Sequence, residues 1–444
     1  MNTKKNKHKK QAGFFLLWVI LLTIGLYAGD IPLQKAVEKG IQMDANYKNR
    51  GVDAQKSVLE LEKAGNQRWF NMDFGGSYLF KSEQMEISFI PGKTITAGAK
   101  HNYDLKVGVL QPIFSGHMIT NTMRLEEQKA GLITFQLASR ELEVAGMVKS
   151  SYFTYGLLAA KKKSLFILIE NLKLHLDRVT SLYEEEQVKK SDVLETELRI
   201  TEAALNLEEL ERQMEEEDIR FTRLCSYSIN DIEVNYQEDI GTLEESLARF
   251  NAAHPSLKIF DQNIDIMETG KKIMTGNYLP RLNGFAELHY GKPGLDFFKN
   301  QWSFYFQGGI NVSVKLFDWH KLKRDKQLAD MSIQQVVNQK AEVILEVTQK
   351  LKQLYARLRS LEKQMHTTVK LAAIAAEDAG LKEALYKENQ SSNLDYLTAL
   401  LNRERYESQQ NELKFQYQWV KMNINTLIAN NPYSATDKAA KEEK

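Results

Sequence analysis

The sequence predicts an α+β membrane protein built from one structural repeat that occurs twice. Three landmarks recur at a constant separation of 203 residues, namely Phe114 and Phe317, Tyr152 and Tyr355, and the tripeptides that begin at Asp192 and Asp395. Two long tracts without proline, each preceded by segments of alternating polarity, repeat in the same order. Because solenoid repeats are only about 20–50 residues long, this longer period indicates a duplicated domain, and each copy supplies half of one architecture.

The repeat divides the chain into four expected parts. These are a signal peptide at 1–28, a first repeat at 29–235, a second repeat at 236–431 and a polar C-terminal tail at 432–444. Five lysines come before the apolar run Phe14–Leu26, whose 13 residues fall short of the about 17–25 that a spanning helix needs. Cleavage is expected after Ala28, and an uncleaved inner-membrane anchor is the alternative.

Composition excludes several classes of protein. The chain has 59 basic and 58 acidic residues, and loss of the five signal-peptide lysines leaves a net charge of −4, which provides no basic domain for nucleic acid. Cys225 is the single cysteine, so an intrachain disulfide is excluded. No apolar run of the mature chain approaches the roughly 18 residues of a transmembrane helix, and a membrane-embedded part would therefore consist of strands.

Both proline-free tracts predict long helices. No proline occurs between residues 113 and 254 or between 294 and 431, and proline inside a helix costs about 3 kcal/mol. In the first tract, apolar residues recur in steps of three and four from Ala138 to Tyr183, which is the spacing of a heptad seam, and only Lys162 interrupts it. We predict a helix over 117–183, about 100 Å long, and its counterpart 203 residues later.

Each long helix is followed by a turn and a return helix. The return helices are expected from Asp192 to about Leu224 and from Asp395 to about Ile428, so that each copy ends in an antiparallel helical hairpin. A shorter helix opens each copy, at 33–66 and at 243–275.

Between the opening helix and the hairpin of each copy, polarity alternates with a period of two. The clearest segment runs from Trp302 to Leu316, and its predicted lipid-facing side chains are Phe304, Phe306, Ile310 and Val312. Segments of about ten residues with this alternation are the weak signature of transmembrane β-strands; for any single strand, a half-buried sheet of a soluble domain is the alternative. Two strands per copy give four per chain, which cannot close a barrel in lipid, so several chains must assemble.

The order of elements and several short motifs carry a resemblance to a known family. The motifs are the strand-exit segments Gln111–Gly116 and Lys315–Asp318, and the Asp-hydrophobic-Leu sequence after each turn. In these features essentially the whole mature chain resembles the TolC-like outer-membrane efflux proteins. The resemblance implies a homotrimer whose twelve strands, four from each chain, form one outer-membrane β-barrel that a periplasmic α-helical barrel continues.

The resemblance also implies a function. The chain would be the outer-membrane channel, or exit duct, of a tripartite efflux or type I secretion system in a Gram-negative-type bacterium. Such a duct is passive, with no enzymatic activity, cofactor or metal, and its cargo is a drug, metal, protein or polymer. The expected partners are outer-membrane lipid, a periplasmic adaptor protein and an inner-membrane transporter. A periplasmic adaptor protein, which has one hairpin, and an elongated structural coiled coil, which leaves the strands unexplained, are the alternatives.

By this resemblance, the candidate pore gate lies at the turns of the two hairpins. Six residues match gate positions of the family: Tyr386, Ser391, Asp395, Thr398, Ser191 and Asp192. The gate tyrosine and first aspartate are kept at Tyr386 and Asp395. Ser391 replaces an arginine and Thr398 a second aspartate, so the family's full network of ion pairs is absent.

The resemblance places adaptor contacts at the same turns. The expected adaptor-contact residues are Glu186, Val188, Lys189, Asn389 and Ser392. Glu186 and Asn389 occupy positions where the family usually carries glycine, which tolerates a left-handed backbone. Ser392 and Asp395 have the spacing of a capping box, whereas Lys189 replaces the serine in the first copy. Helix capping is the preferred role of Asp192, and Asp395 combines capping with the gate.

Overall fold

The computed structural model describes residues 32–90, 93–229, 239–296, 298–388 and 390–429. The predicted signal peptide at 1–28 and the C-terminal tail at 432–444 lie outside these ranges, and the division into repeats stays a prediction. The first half of the described chain contains these elements: α1 Leu33–Met43, α2 Ala45–Asn66, β1 Asn71–Phe80, β2 Met85–Ile90, β3 Lys93–Ala97, β4 His101–Phe114, α3 Met118–Glu184 and α4 Lys190–Cys225. The second half contains α5 Leu243–Ala253, α6 Pro255–Gly276, β5 Arg281–Lys292, β6 Ser303–Ser313, α7 Lys321–Lys387 and α8 Asn393–Leu427.

The long helices and return helices are confirmed. Helices α3 and α7 each contain 67 residues, and the observed start of α3 differs from the predicted start by one residue. The return helices α4 and α8 begin two residues before the predicted Asp192 and Asp395. Among the described residues, no helix combines the length and the apolar character that crossing a membrane requires.

The contacts divide the chain into two compact units, which we describe separately. The helical unit takes its described residues from 32–48, 140–252 and 347–429, and the strand unit from 49–139 and 253–346. Both units draw on both halves of the sequence, as expected if each repeat supplies half of one architecture.

The opening helices are each divided in two, which the sequence prediction missed. Asp44 interrupts the first with extended dihedral angles; its carboxylate accepts the Tyr47 amide at 2.7 Å and a bidentate pair of hydrogen bonds from Arg140 at 2.9 and 2.7 Å. His254 interrupts the second because it precedes Pro255, which disfavours a helical residue before it.

The strand unit contains the four predicted strands as one antiparallel sheet in the order β1-β4-β5-β6. Strand β6 ends at Ser313, so the prediction that it extends to Leu316 is wrong. Ser313 pairs with Arg281, the first residue of β5. The preceding Pro280 has no amide hydrogen to continue the ladder. A separate hairpin of β2 and β3 was not predicted.

The two faces of this sheet differ in chemistry. The four side chains predicted to face lipid are all strongly exposed, at 71, 69, 66 and 61% for Phe304, Phe306, Ile310 and Val312. On the other face, Lys106 Nζ pairs with Glu287 Oε1 at 3.0 Å, and His289 Nδ1 lies 3.0 Å from the carboxylate of Asp104. The sheet is therefore apolar and uncovered on one side and polar on the other.

The helical unit contains the buried side chains of the predicted seam. In α3, Val148, Tyr152, Leu172 and Val179 are buried. Lys162, the interruption in the pattern, pairs with Glu211 of α4 at 2.9 Å. The thiol of Cys225 is buried and donates to the Phe221 carbonyl at 3.3 Å, and burial raises its pKa.

Candidate functional site at the hairpin turns

The first hairpin turn closes α3 with a Schellman motif. Gln187 N–H donates to the Leu182 carbonyl at 2.8 Å and Glu186 N–H to the Tyr183 carbonyl at 3.0 Å. Glu186 has a φ of 58°, which confirms the left-handed position expected there. In the second turn Gln390 N–H donates to the Leu385 carbonyl at the same 2.8 Å, while Asn389 lies outside the described residues.

Both return helices are capped, in different ways. The Ser392 hydroxyl accepts the Asp395 amide at 3.1 Å and donates to the Asp395 carboxylate at 2.7 Å. In the first hairpin, the Asp192 carboxylate accepts the Lys189 amide at 3.1 Å. Asp192 is therefore the third residue of its helix, not the N-cap residue itself, and supports the cap from within the first turn.

Large side chains of the two hairpins pack into one core close to the turns. This tip cluster consists of Leu168, Leu172, Val179, Tyr386, Tyr396, Leu397 and Leu400. Val188, an expected adaptor contact, is half-buried against it. The tip cluster joins α3 of one hairpin to α7 and α8 of the other.

A buried histidine that the sequence reasoning did not single out lies within the tip cluster. His175 Nε2 lies 2.7 Å from Asn393 Oδ1, and the Asn393 amide donates to the Asp192 carbonyl at 3.1 Å. Because the Asn393 oxygen must then accept, the His175 Nε2–H is the donor. The imidazole centroid lies 5.2 Å from the ring of Tyr386 and 4.5 Å from the ring of Tyr396.

The spacing Leu172, His175, Val179 was the available signal for this histidine. Steps of three and four place all three side chains on one helix face, and all three are buried. Its polar partner Asn393 lies 218 residues away, so no local pattern could identify the pair.

Burial controls the protonation of these side chains. Burial lowers the pKa of His175, with a smaller contribution from Arg178, while the hydrogen bond to Asn393 opposes the shift. Burial and the nearby Asp192 raise the pKa of Tyr386, over whose ring the Arg178 guanidinium lies at 5.9 Å. The tip cluster thus favours a neutral imidazole and a neutral phenol.

Helix α8 carries a second unusual group further along its length. Glu404 is buried, and its Oε1 has no hydrogen-bond partner among the described residues. Burial and the neighbouring Glu407 raise its pKa to about 7, although Arg403 and the Ser164 hydroxyl act in the opposite direction.

The predicted gate residues differ widely in exposure. Tyr386 is 5% exposed, and among the described residues its hydroxyl has no hydrogen-bond partner, as is also the case for the Ser391 hydroxyl. Thr398 is exposed and donates to the Leu394 carbonyl of its own helix. Ser191, Asp395, Glu186, Lys189 and Ser392 are exposed as well, and Asp192 is half-buried. Besides the capping contacts of Ser392 with Asp395 and of Lys189 with Asp192, the structure brings Tyr386 and Asp192 close to the unpredicted His175–Asn393 pair.

Within the part of the chain that the structure describes, no group of three or more histidine, cysteine, aspartate or glutamate side chains could hold a metal ion.

The fold matches solved structures of outer-membrane channels. The outer membrane protein VceC of Vibrio cholerae superposes with a TM-score of 0.70 and 11% identity, covering 89% of this chain and 95% of that chain. The outer membrane channel CmeC of Campylobacter jejuni gives 0.71 and 15%, with coverage of 93% and 89%. The open state of the MtrE outer membrane channel of Neisseria gonorrhoeae gives 0.69 and 11%, with coverage of 91% and 92%.

The sequence comparisons address the second half of the chain. A search of curated proteins gave no match. The model of the outer membrane efflux protein family matches residues 247–427, which include β5, β6, α7 and all of α8. Together with the fold, this match confirms the resemblance of the chain to the TolC-like outer-membrane efflux proteins.

Proposed function

We propose that the protein is the outer-membrane exit duct of a tripartite efflux or type I secretion system. The observation that carries the proposal is the four-stranded sheet, which leaves large side chains such as Phe304 and Phe306 about 70% exposed on one face. A soluble monomer rarely exposes such a continuous apolar surface, whereas lipid would cover it. The polar face, with its Lys106–Glu287 pair, then lines an aqueous lumen.

The proposed assembly is a homotrimer. Strands β1 and β6 are the edges of the sheet, and open edges are not tolerated in lipid. Pairing β1 of one chain with β6 of the next closes the sheet, and three chains give twelve strands. Two chains would give eight strands, and the interior of an eight-stranded barrel is filled by its own side chains. Three chains are therefore preferred over two for a conduit. The mass of the detergent-extracted protein tests this, and a stable monomer or dimer contradicts it.

The helical unit supplies the periplasmic tunnel and its gate in this proposal. Tyr386, Asp192 and Asp395 are assigned to the gate, with Ser391, Thr398 and Ser191 around them. The exposed turn residues Glu186, Lys189 and Ser392, with Val188 and Asn389, are assigned to the adaptor protein. The duct itself catalyses no reaction and carries no cofactor, because the inner-membrane transporter supplies the energy.

Cell fractionation combined with conductance tests the proposal. The protein should be in the outer-membrane fraction, change its gel mobility on heating, and conduct ions after reconstitution into planar bilayers. A soluble periplasmic monomer would contradict it and favour a periplasmic adaptor protein, which the two hairpins and four exposed strands argue against.

A further inference from the structure

A basic pocket lies in the strand unit where β5 begins and β6 ends. The cavity has a volume of about 540 Å³ and is lined by Arg281, Lys315 and Lys321, and Asp325 is the one acidic side chain among the described residues that line it. Three cations and one carboxylate leave the pocket with a positive charge. A cleft lined by one sign of charge concentrates ions of the opposite sign, so the pocket favours an anion.

The pocket lies on the polar face of the sheet. Arg281 pairs with Ser313 in the ladder of β5 and β6, and side chains alternate between the two faces along each strand. Arg281 is therefore on the same face as Glu287, and Lys315 continues the alternation of Asn311 and Ser313. In the proposed duct this face lines the lumen, so the pocket lies on the side along which cargo passes and not on the side of the lipid.

The guanidinium of Arg281 has neutral contacts. Its Nη2 donates to Oδ1 of Asn277 and lies 3.1 Å from Sδ of Met118. Arg281 is half-buried and forms no ion pair within the part of the chain that the structure describes. Its positive charge is therefore not compensated by a carboxylate.

The two lysines of the pocket are also without an ion pair among the described residues. The Lys315 ammonium lies 5.0 Å from the centroid of the Tyr278 ring. Lys321 is the first residue of α7, where a positive charge opposes the helix dipole, so helix stability does not explain it. By contrast, Lys106 on the same face of the sheet pairs with Glu287 Oε1 at 3.0 Å.

The first repeat lacks these charges at the equivalent positions. The residues 203 positions before the two lysines are Pro112 and Met118, and Asn71 begins β1 as Arg281 begins β5. Both repeats pass from strand to long helix at this point, so the fold itself does not require basic residues. The three cations are a property that the second repeat has in addition to the shared architecture.

We propose that this pocket binds an anionic group of the transported cargo, namely a carboxylate or phosphate of a small organic molecule. The proposal rests on the proposed function, because the polar face lines a path for cargo only in a duct. The planar guanidinium of Arg281 matches the geometry of both oxyanions, and the two lysines add charge beside it. The volume of about 540 Å³ is in the range of small-molecule sites, roughly 300–1,000 Å³.

The first test measures binding of two oxyanion probes to the full-length, detergent-extracted protein. Isothermal titration calorimetry at low ionic strength, where screening is weak, would compare citrate and inorganic pyrophosphate on the wild type, on Lys315→Gln/Lys321→Gln and on the control Lys323→Gln/Lys326→Gln. The control removes the same charge from the first turns of α7, at positions that do not line the pocket.

The pocket variant should lose most of the affinity. Loss of one exposed ion pair weakens binding by up to roughly 5-fold, so the pocket variant should bind the probes roughly 25-fold more weakly. The control should stay within about 2-fold of the wild type. If the double variant does not fold, Lys315→Gln alone should show a roughly 5-fold loss.

Each result decides the matter. A loss for citrate without wild-type binding of pyrophosphate assigns the pocket to carboxylates, and the reverse assigns it to phosphates. Equal binding by the wild type and the pocket variant overturns the proposal, as does failure of the wild type to bind either probe. An equal loss in the control also overturns it, because a diffuse positive field and not the pocket would then hold the anion.

Conductance of the same preparations tests the lumen side and separates this proposal from the proposed function. In planar bilayers with a salt gradient, the pocket variant should shift the zero-current potential toward stronger cation selectivity, because it removes positive charge from the pore wall. A wild type that conducts, with an unchanged potential in the pocket variant, overturns the lumen site alone. A wild type that is soluble and does not conduct overturns the exit duct, and the cargo site with it.

Discussion

The Nε2–H of His175 in α3 donates to Oδ1 of Asn393 in α8 across 2.7 Å, and this bond joins the two hairpins of one chain. Asn393 continues the connection to the Asp192 carbonyl in α4. Movement of one hairpin away from the other would break both bonds and uncover the rings that surround the imidazole. We therefore regard this pair as the central polar contact of the tip cluster.

Acidification should loosen the tip cluster through His175. Burial lowers the pKa of this histidine, so between that lowered value and the usual value the unfolded chain binds more protons. The folded tip cluster therefore keeps its full stability above the usual histidine pKa of about 6.5 and loses stability as the pH falls toward the lowered pKa of His175 in the folded chain. Hydrogen–deuterium exchange of residues 168–200 and 379–401, corrected for intrinsic rates, should rise between about pH 7.5 and about pH 5.5.

A matched pair of variants isolates the histidine. His175→Gln removes the titrating group and should abolish most of the pH response. His366→Gln changes an exposed histidine of α7 and should keep the wild-type response. An unchanged pH response in His175→Gln would show that Asp192, Glu383 or another nearby charge is responsible.

Glu404 should have the opposite pH dependence. Burial raises its pKa to about 7, so its contribution to stability is fully present below the usual carboxyl pKa and is lost as the pH rises through about 7. Glu404→Gln should therefore raise the thermal unfolding midpoint near pH 8 and have little effect near pH 4.5. Glu377→Gln, at an exposed position of α7, is the control, and an equal gain in that variant would contradict the assignment.

The ring of Tyr386, and not its hydroxyl, should stabilise the tip cluster. The hydroxyl is buried without a hydrogen-bond partner among the described residues, so Tyr386→Phe should change the free energy of unfolding by less than about 1 kcal/mol. Tyr386→Ala should cost about 3–5 kcal/mol, because it leaves a cavity. At the equivalent Tyr183, which is 41% exposed, alanine should cost far less. A large loss in Tyr386→Phe would contradict this assignment and show that the hydroxyl has a hydrogen-bond partner outside the described residues.

Asp395 should make the pore cation-selective. In the proposed trimer, three copies around one axis form a ring of carboxylates that attracts cations and is blocked by polyvalent cations from the periplasmic side. Repulsion within the ring would raise the pKa of Asp395, whereas the Ser392 hydroxyl lowers it within one chain. Asp395→Asn removes the charge and keeps a side-chain oxygen that can accept the Ser392 hydroxyl. Unchanged selectivity and block in planar-bilayer recordings of this variant would leave Asp395 as a helix cap only.

The faces of β6 should respond differently to a new charge. Arginine at a lipid-facing position near the middle of the membrane costs about 2–4 kcal/mol and far less on the lumen side. Ile310→Arg should therefore reduce the amount of assembled trimer much more than Asn311→Arg at the next residue. Equal tolerance of both, measured by native gel electrophoresis of membrane extracts, would mean that the assignment of the two faces is wrong.

The sequence was sufficient for the long elements because their signals repeat many times. Steps of three and four over more than ten turns predicted α3 and α7 within a residue, and alternation over ten residues predicted the strands of the sheet. The positions at which helices and strands end were harder to predict, because each depends on a single local contact. The ladder of β6 stops at Ser313 because its partner strand begins after Pro280, whereas the alternation of side chains continues to Leu316.

The candidate site was less predictable, because its central pair is polar and distant in sequence. The resemblance directed attention to Tyr386 and Asp395, which flank the second turn. It gave no reason to select His175, whose hydrogen-bond partner belongs to the other hairpin. A single histidine on an apolar helix face can have several structural or functional roles, and only its tertiary contacts show which role it has.

Cys225 gives the protein a practical property for following the proposed gate. It is the only cysteine of the chain, and burial keeps its thiol protonated and shielded from reagents. A cysteine introduced at exposed Ser191 or Thr398 would therefore be the only thiol open to a maleimide or an oxidant. Labelling of that cysteine would time the proposed opening of the hairpin turns without first removing a native residue.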